Sequence, residues 1–372
     1  MILFDLFIYG VFILMSCLKY YAISRNSIQD MGSLVIVFIS IFFIATNTRL
    51  IKKALPITCL LYLLSLFLSS VHLSYDLVFD DFLNSLLFPL IFLTSYIFFG
   101  KYPKYLNVMK YIGLVALILS YYNLLRLSAM VNERTSVVMQ SNAGNAVVAL
   151  LPFAFLWKNN IMKYAFIIVV FISCLIAIKR SAFVIFVVVL FLFLLLRKKT
   201  NLLKGAITYS LILLLAGIYI LPRIDAAEHM IERLEGTAED GGSGRDVLTI
   251  RCLKYQLEST FPEWILGNGY LSFSQRSRQN GFFNTGAHND FVEVLYSHGI
   301  ISYVLYLLFI CYSLKLVIRK QKEDNPLLVP LSSCLVVFLL SALLVGSSVH
   351  FWYYLPMYCL FGGLCSISEI KK

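Results

Sequence analysis

Residues 161–196, IMKYAFIIVVFISCLIAIKRSAFVIFVVVLFLFLLL, contain two apolar runs with almost no loop between them. The runs cover 161–178 and 181–196, and Lys179 and Arg180 stand between them. A helix needs about 20 apolar residues to cross the hydrocarbon of a bilayer, with a range of about 17–25. The stretch therefore predicts a tight hairpin of two membrane helices.

Similar apolar runs recur along the whole chain. The predicted membrane helices cover 2–18, 31–48, 54–72, 80–99, 107–126, 141–157, 161–178, 181–196, 204–221, 287–314, 327–348 and 350–367. Of the 372 residues, 60% are hydrophobic and only 14% are charged, whereas soluble domains are about half apolar and a quarter charged. This composition excludes an ordinary soluble enzyme and a disordered chain.

We therefore predict an all-α, polytopic membrane protein with about twelve transmembrane helices. Its parts are nine helices in residues 1–221, one long polar loop at 222–287 and three helices in residues 288–372. The long loop is too short for a large soluble domain, but it can hold two or three short helices.

The lysines and arginines of the short loops predict the orientation, because cytoplasmic loops carry more of them. With both termini in the cytoplasm, eighteen fall on cytoplasmic loops and six on short outer loops. The six are Lys19, Arg25, Arg126, Arg134, Lys179 and Arg180. The long loop is then outside. This distribution accounts for the net charge of +11, so we expect no nucleic-acid partner.

Lys179 and Arg180 oppose the usual bias, since they lie at the outer end of the hairpin. Either their side chains extend to the lipid headgroups, or they face inward and bind an anionic group of a ligand. Asn142, Gly144 and Asn145 open the preceding predicted helix. For these three we expect capping and close helix packing.

The long loop contains a predicted helix and a predicted turn. Val247, Ile250, Leu253 and Leu257 recur at helical spacing between Asp246 and Leu257, which places Arg245 at the start of a helix on the outer face. The sequence GNG at 267–269 predicts a turn.

His288 stands just before the tenth predicted helix, beside Asn289, Asp290 and Glu293. A histidine near neutral pH can accept the proton of a hydroxyl group. We expect His298, which lies further along the same helix, to pack or hydrogen-bond internally.

No metal or cofactor site is expected. The eight cysteines include no CxxC pair, and the adjacent carboxylates Asp80 and Asp81 would point in different directions on a helix. Nucleotide-binding patterns are also missing from the sequence.

Five segments resemble the O-antigen ligase and Wzy polymerase superfamily. They are Gly244-Arg245, PEWILGNGY (262–270), AHNDFVEVLYSHGIIS (287–302), KRSAF (179–183) and SNAGNAVVALLP (141–152). One departure is that the family commonly places a tryptophan after the Gly-Arg pair, where this chain has Leu248, Ile250 and Cys252.

The resemblance implies a metal-independent glycosyltransferase in the bacterial inner membrane, with its active site on the periplasmic side. The implied partners are a donor and an acceptor glycan on undecaprenyl diphosphate, the bilayer and a chain-length regulator. Arg180 and Arg245 would bind the pyrophosphate, and His288 would orient or deprotonate the acceptor hydroxyl. Further substrate contacts would come from Lys179, Arg276, Arg278 and Asn289; the two later arginines have no motif match.

Three functions stay open at this point. A polymerase joins lipid-linked repeat units, and a ligase transfers finished polymer to the lipid A core by the same chemistry. The sequence HNDFVEVL (288–295) and the short loop favour the polymerase. A twelve-helix transporter or flippase is the alternative from another class, although its usual internal repeats are not visible in this sequence.

Overall fold

The structure, a computed structural model, describes residues 2–21, 27–70, 79–129, 143–177, 179–196, 245–270, 272–281, 286–323, 325–346 and 354–370. These residues are largely helical and include no strand. The helices are α1 (Ile2–Tyr21), α2 (Ser27–Thr46), α3 (Ala54–Ser69), α4 (Phe79–Lys101), α5 (Met109–Ala129), α6 (Ala143–Ala154), α7 (Asn160–Ile176), α8 (Arg180–Leu196), α9 (Arg245–Leu257), α10 (Phe261–Leu266), α11 (Ser272–Gln279), α12 (Asp290–Lys322), α13 (Leu328–Leu344) and α14 (Leu355–Ile370).

The all-α class is confirmed for this part of the chain. Three stretches, Phe82–Lys101, Pro103–Arg126 and Asp290–Lys322, are long and apolar enough to cross a membrane, and seven further apolar helices are shorter. The predicted helix over 204–221 and the loop residues 222–244 lie outside the described residues. The number of twelve membrane helices and the loop topology therefore stay predictions.

The helix α6 differs from its prediction over 141–157. It is helical at 143–148, turns at 149–150 and resumes at Leu151–Ala154. Pro152, which falls inside the predicted helix 141–157, lies in the first turn of the second piece. A proline is accepted there because the first residues of a helix need no N–H partner within the helix. Pro89 does lie inside α4, as predicted.

Contacts divide the chain into two compact units. The larger unit comprises Met1–Leu106, Gly244–Glu323 and Phe338–Lys372, and the smaller unit comprises Asn107–Ser243 and Asp324–Val337. The predicted division into 1–221, 222–287 and 288–372 follows the expected topology and stays a prediction.

The core of the larger unit is built around α4, which packs against α2, α3 and α14. Two glycines let α14 approach α4 closely. A Cβ atom on Gly362 would lie 2.3 Å from the carbonyl oxygen of Phe92, and one on Gly363 would lie 2.4 Å from the ring of Phe99. Small residues serve the same purpose where membrane helices pack together.

Polar contacts join the start of α1 to the end of α4. Lys101 donates a hydrogen bond to the Asp5 carboxylate at 2.5 Å, and the Tyr102 hydroxyl donates to the same oxygen at 2.7 Å. Lys101 also lies 3.5 Å from the side-chain oxygen of Asn47, just after α2. The start of α1 and the ends of α2 and α4 therefore lie at one level.

The same level includes the ends of α12 and α14. Lys53, just before α3, donates to the carbonyl of Glu369, and Arg319 donates to the carbonyl of Ser368 at 2.7 Å. The hydroxyl of Tyr96, near the end of α4, binds the Glu369 carboxylate. We call this side of the larger unit, which carries Lys53, Lys101 and Arg319, the basic end.

Replacing Gly362 by alanine should lower the free energy of unfolding by about 1–3 kcal/mol, because the new methyl group meets the Phe92 backbone, which cannot rotate away. Thermal unfolding of the purified protein in detergent measures this. The matched control is Gly32→Ala in α2, where a Cβ atom meets nothing within 4 Å. Equal unfolding temperatures for the two variants would contradict the packing.

Candidate active site

The candidate site lies in the larger unit, at the end opposite the basic end. It is built where α12 starts and α13 ends. The imidazole of His298 lies 3.1 Å from the hydroxyl of Ser69, the last residue of α3, and His298 is buried. This confirms the prediction that His298 bonds internally, and it places the C-terminal end of α3 at the same level.

The helix α12 is kinked at Gly299, whose φ of 74° and ψ of 177° are not helical. The predicted turn at 267–269 packs against this kink. The N–H of Asn268 donates to the carbonyl of Tyr296 at 3.0 Å, and the N–H of Gly269 donates to that of Ser297 at 2.9 Å. These two bonds fasten the turn to the first part of α12.

Gly267 and Gly299 make this contact possible from its two sides. A Cβ atom on Gly267 would lie 2.3 Å from the Ser297 carbonyl oxygen, and one on Gly299 would lie 2.4 Å from that of Ile265. Both residues have positive φ angles, which glycine adopts without steric cost. The predicted turn is thus confirmed, and its glycines are explained by close approach of two backbones.

His288 is held at the entrance to α12 by the end of α13. Its Nδ1 lies 3.2 Å from the carbonyl oxygen of Val345. Because a carbonyl only accepts, Nδ1 carries the proton, and in the neutral ring the lone pair is then on Nε2. His288 also has a φ of 54°, a conformation that is uncommon outside glycine and that clusters at functional sites.

Arg245, the first residue of α9, binds the adjacent carbonyl. Its guanidinium donates to the carbonyl oxygen of Leu344, the last residue of α13. The last carbonyls of a helix have no partner within the helix, and they form the negative end of its dipole. The Leu344–Val345 carbonyl pair therefore accepts hydrogen bonds from the Arg245 guanidinium and from the Nδ1–H of His288.

Gly346 ends this segment with a φ of 63°. A Cβ atom there would lie 2.4 Å from the backbone Cα and C atoms of His288. The N–H groups of Val345 and Gly346 both donate to the Ser341 carbonyl at 3.0 Å. Only a glycine lets the end of α13 lie this close to His288.

A buried carboxylate fixes the residues just before His288. Glu293 is 3% exposed and accepts the N–H of Ala287 at 3.0 Å. Gly286 leaves room for this carboxylate, since a Cβ atom there would lie 2.9 Å from it. Thr249 of α9 donates to the Ala287 carbonyl at 3.3 Å. The chain around His288 is therefore positioned from both α9 and α12.

Three further residues of the larger unit were predicted to contact the substrate. Arg276 pairs with Glu258 at 2.7 Å and stacks over the ring of Tyr255 at 4.2 Å, so α9 and α11 account for its position. Arg278 is exposed on α11. The Asn289 side chain accepts the N–H of Phe291 at 3.0 Å and caps α12.

Lys179 and Arg180 belong to the smaller unit, where they open α8 and are half-buried. Gly144 and Asn145 of the first motif lie there against the start of the KRSAF segment. A Cβ atom on Gly144 would lie 2.8 Å from that of Ala177 and 3.0 Å from that of Lys179. The Ser181 hydroxyl donates to the side-chain oxygen of Asn145 at 3.4 Å. This confirms the close packing predicted for Gly144, while Asn142 lies outside the described residues.

Sequence reasoning missed Leu344, Val345 and Gly346, which contact Arg245 and His288 through their backbones. The one available signal was Gly346 itself, since a glycine after an apolar run is typical of a helix end. Within the described ranges, no group of three or more His, Cys, Asp or Glu side chains could hold a metal ion.

The chain matches no protein-family model, and no curated protein shows significant similarity to it. The geometry around the Leu344–Val345 carbonyl pair and the sequence motifs are therefore the basis for a functional proposal.

The packing of α9 can be tested through Cys252, which is buried in a cluster with Tyr255, Phe273, Ala287 and Tyr296. Burial raises the pKa of the Cys252 thiol well above its usual value, and the charge of Glu293 adds to the effect. The thiolate fraction at any pH is then reduced, so maleimide should label Cys252 far more slowly than a cysteine introduced by Lys254→Cys, on the exposed side of α9. Equal rates between pH 7 and 9, measured by peptide mass spectrometry, would contradict the packing.

Proposed function

We propose that the chain is a membrane glycosyltransferase of the O-antigen polymerase type, which joins oligosaccharide repeat units carried on undecaprenyl diphosphate. The observation that carries the proposal is the binding of Arg245 and His288 to two consecutive carbonyls, those of Leu344 and Val345. A permanent cation and a histidine with a defined tautomer are thereby brought together.

In the proposed reaction, the acceptor hydroxyl oxygen attacks the anomeric carbon of the donor glycan. The new bond is formed as the bond from that carbon to the pyrophosphate oxygen breaks. Undecaprenyl diphosphate leaves with the bonding electrons, and the hydroxyl proton passes to Nε2 of His288. The bond from Nδ1 to Val345 keeps the lone pair on Nε2, as a general base requires.

Arg245 suits the leaving group. A guanidinium keeps its charge at all physiological pH values and offers five N–H donors in a planar fork that matches phosphate oxygens. The bond to the Leu344 carbonyl holds this group at the end of α13. The same role is proposed for Arg180 on the basis of the KRSAF motif alone.

The distribution of charge supports a site on the outer side of the inner membrane. The basic end of the larger unit carries Lys53, Lys101 and Arg319, and the candidate site is at the opposite end. Because cytoplasmic segments are enriched in lysine and arginine, the basic end is assigned to the cytoplasm and Arg245 and His288 to the periplasm.

Replacing Arg245 by alanine should reduce polymer formation on the order of 100-fold or more, because the charge that develops on the pyrophosphate loses its partner. Arg245→Lys should restore little, since lysine lacks the planar fork. Gels of surface polysaccharide from a deletion strain complemented with each variant measure the loss. The control is Lys322→Ala at the basic end, and full activity of Arg245→Ala would refute the role. Arg180→Ala tests the motif separately.

The same gels distinguish the two related activities. A single repeat unit on the lipid A core, in place of a ladder, establishes a polymerase. A bare core, with polymer accumulating on the lipid carrier, establishes a ligase. An unchanged ladder in the deletion strain contradicts both.

Replacing Gly346 by alanine should slow the reaction by displacing His288, and the loss should approach that of His288→Ala, which removes the base and costs about 10²–10⁴-fold. Donor binding should be retained in both variants. The matched control is Gly281→Ala, which carries the same positive-φ strain but meets nothing within 4 Å. A similar loss of activity in both glycine variants would mean that backbone strain, and not contact with His288, is responsible.

A further inference from the structure

The helix α9 presents its more apolar face outward. Its buried residues are Cys252, Tyr255 and Gln256. Cys252 and Tyr255 belong to the cluster that includes Tyr296, and Leu248 packs against this cluster. The opposite side carries large apolar residues, and we call these, together with Phe261 at the start of α10, the α9 stripe. Its members and their exposed fractions are Val247 51%, Ile250 64%, Leu253 42%, Leu257 77% and Phe261 79%.

The four members that belong to α9 are three or four residues apart, which places them on one side of the helix. A surface helix of a soluble protein turns such a face toward the core. In α9 this face is directed away from the core. An apolar environment outside the larger unit would remove the α9 stripe from water. Asp246 and Lys254 are exposed on the same side of α9. Viewed along the helix axis, Asp246 lies between Leu253 and Leu257, and Lys254 lies between Ile250 and Val247.

The start of α9 and the short helix that follows it, α10, are both held by apolar helices. At its start, Arg245 binds the carbonyl of Leu344, the last residue of α13. After its end, α10 packs against α12 and α3, and a Cβ atom on Gly299 of α12 would lie 2.4 Å from the carbonyl oxygen of Ile265. The 13 residues of α9 span about 20 Å. The helix therefore crosses the end of the bundle at the depth where α3 and α13 terminate.

The last turns of α3 continue the same apolar surface. Leu64, Phe67 and Leu68 are exposed near Ser69, the residue that binds His298. On a membrane helix these residues contact acyl chains. The α9 stripe begins at the level where this lipid-facing surface of α3 ends.

We propose that α9 is an interfacial helix whose stripe is embedded in the boundary between headgroups and acyl chains of the bilayer, on the side of the candidate site. Large apolar side chains on the exposed side of a helix suit this boundary, and the long chain of Lys254 on the same side can extend to the headgroups. The inference depends on membrane insertion, as in the proposed function, but not on glycosyl transfer. It places Arg245 at the depth of lipid phosphates, where a lipid-linked pyrophosphate would also lie.

The experiment places a photoreactive benzoylphenylalanine at position 250 or 257 of the full chain, by Ile250→benzoylphenylalanine or Leu257→benzoylphenylalanine. The matched control carries it at Gln279, an exposed polar position of α11. Each variant is reconstituted into vesicles of phosphatidylethanolamine and phosphatidylglycerol, irradiated and analysed by mass spectrometry. Both stripe positions point outward, so the larger side chain has space, and slow labelling of Cys252 verifies that the loop is folded.

The expected result is a gain of one phospholipid mass at positions 250 and 257 and none at 279. Cross-links from the stripe to peptides of the same chain would overturn the proposal, and so would cross-linked dimers. Adduct patterns at 250 and 257 that equal the pattern at 279 would overturn it as well. None of these outcomes depends on glycan substrates, so a failure of the proposed enzymatic function would be detected separately by the polysaccharide gels.

Discussion

The candidate site depends on the carbonyl groups at the end of α13. Every helix ends with carbonyls that its own N–H groups cannot reach. Here two of them, from Leu344 and Val345, accept hydrogen bonds from Arg245 and His288. Gly346 follows with a positive φ and has no side chain that would meet the His288 backbone. The start of α9, the entrance to α12 and the end of α13 are thereby held by one small group of backbone atoms.

The sequence predicted the local elements of this region but not how they meet. Apolar residues at helical spacing predicted α9 almost to the residue, and GNG predicted the turn. The carbonyl pair could not be predicted, because every residue has a backbone carbonyl and the contacts join residues 57 and 99 positions apart. Likewise, Gly299 lies in the predicted continuous helix 287–314, and its kink is explained only by the packing of the turn at 267–269.

Spacing identifies a face of a helix but not what that face contacts. Arg276 and Arg278 were grouped as substrate contacts. Residues two apart on a helix point in nearly opposite directions, and Arg276 stacks on Tyr255 while Arg278 is exposed. The apolar spacing of α9 was equally clear, yet the side buried against the protein carries Cys252, Tyr255 and Gln256.

The burial of Cys252 has a consequence for the chemistry of its surroundings. The compartment outside the bacterial inner membrane is oxidising and forms disulfides readily, and α9 lies on that side in the proposed orientation. Oxidation proceeds through the exposed thiolate. Cys252 is fully buried and its pKa is raised, so the folded protein can keep a thiol there without oxidative damage or mispairing.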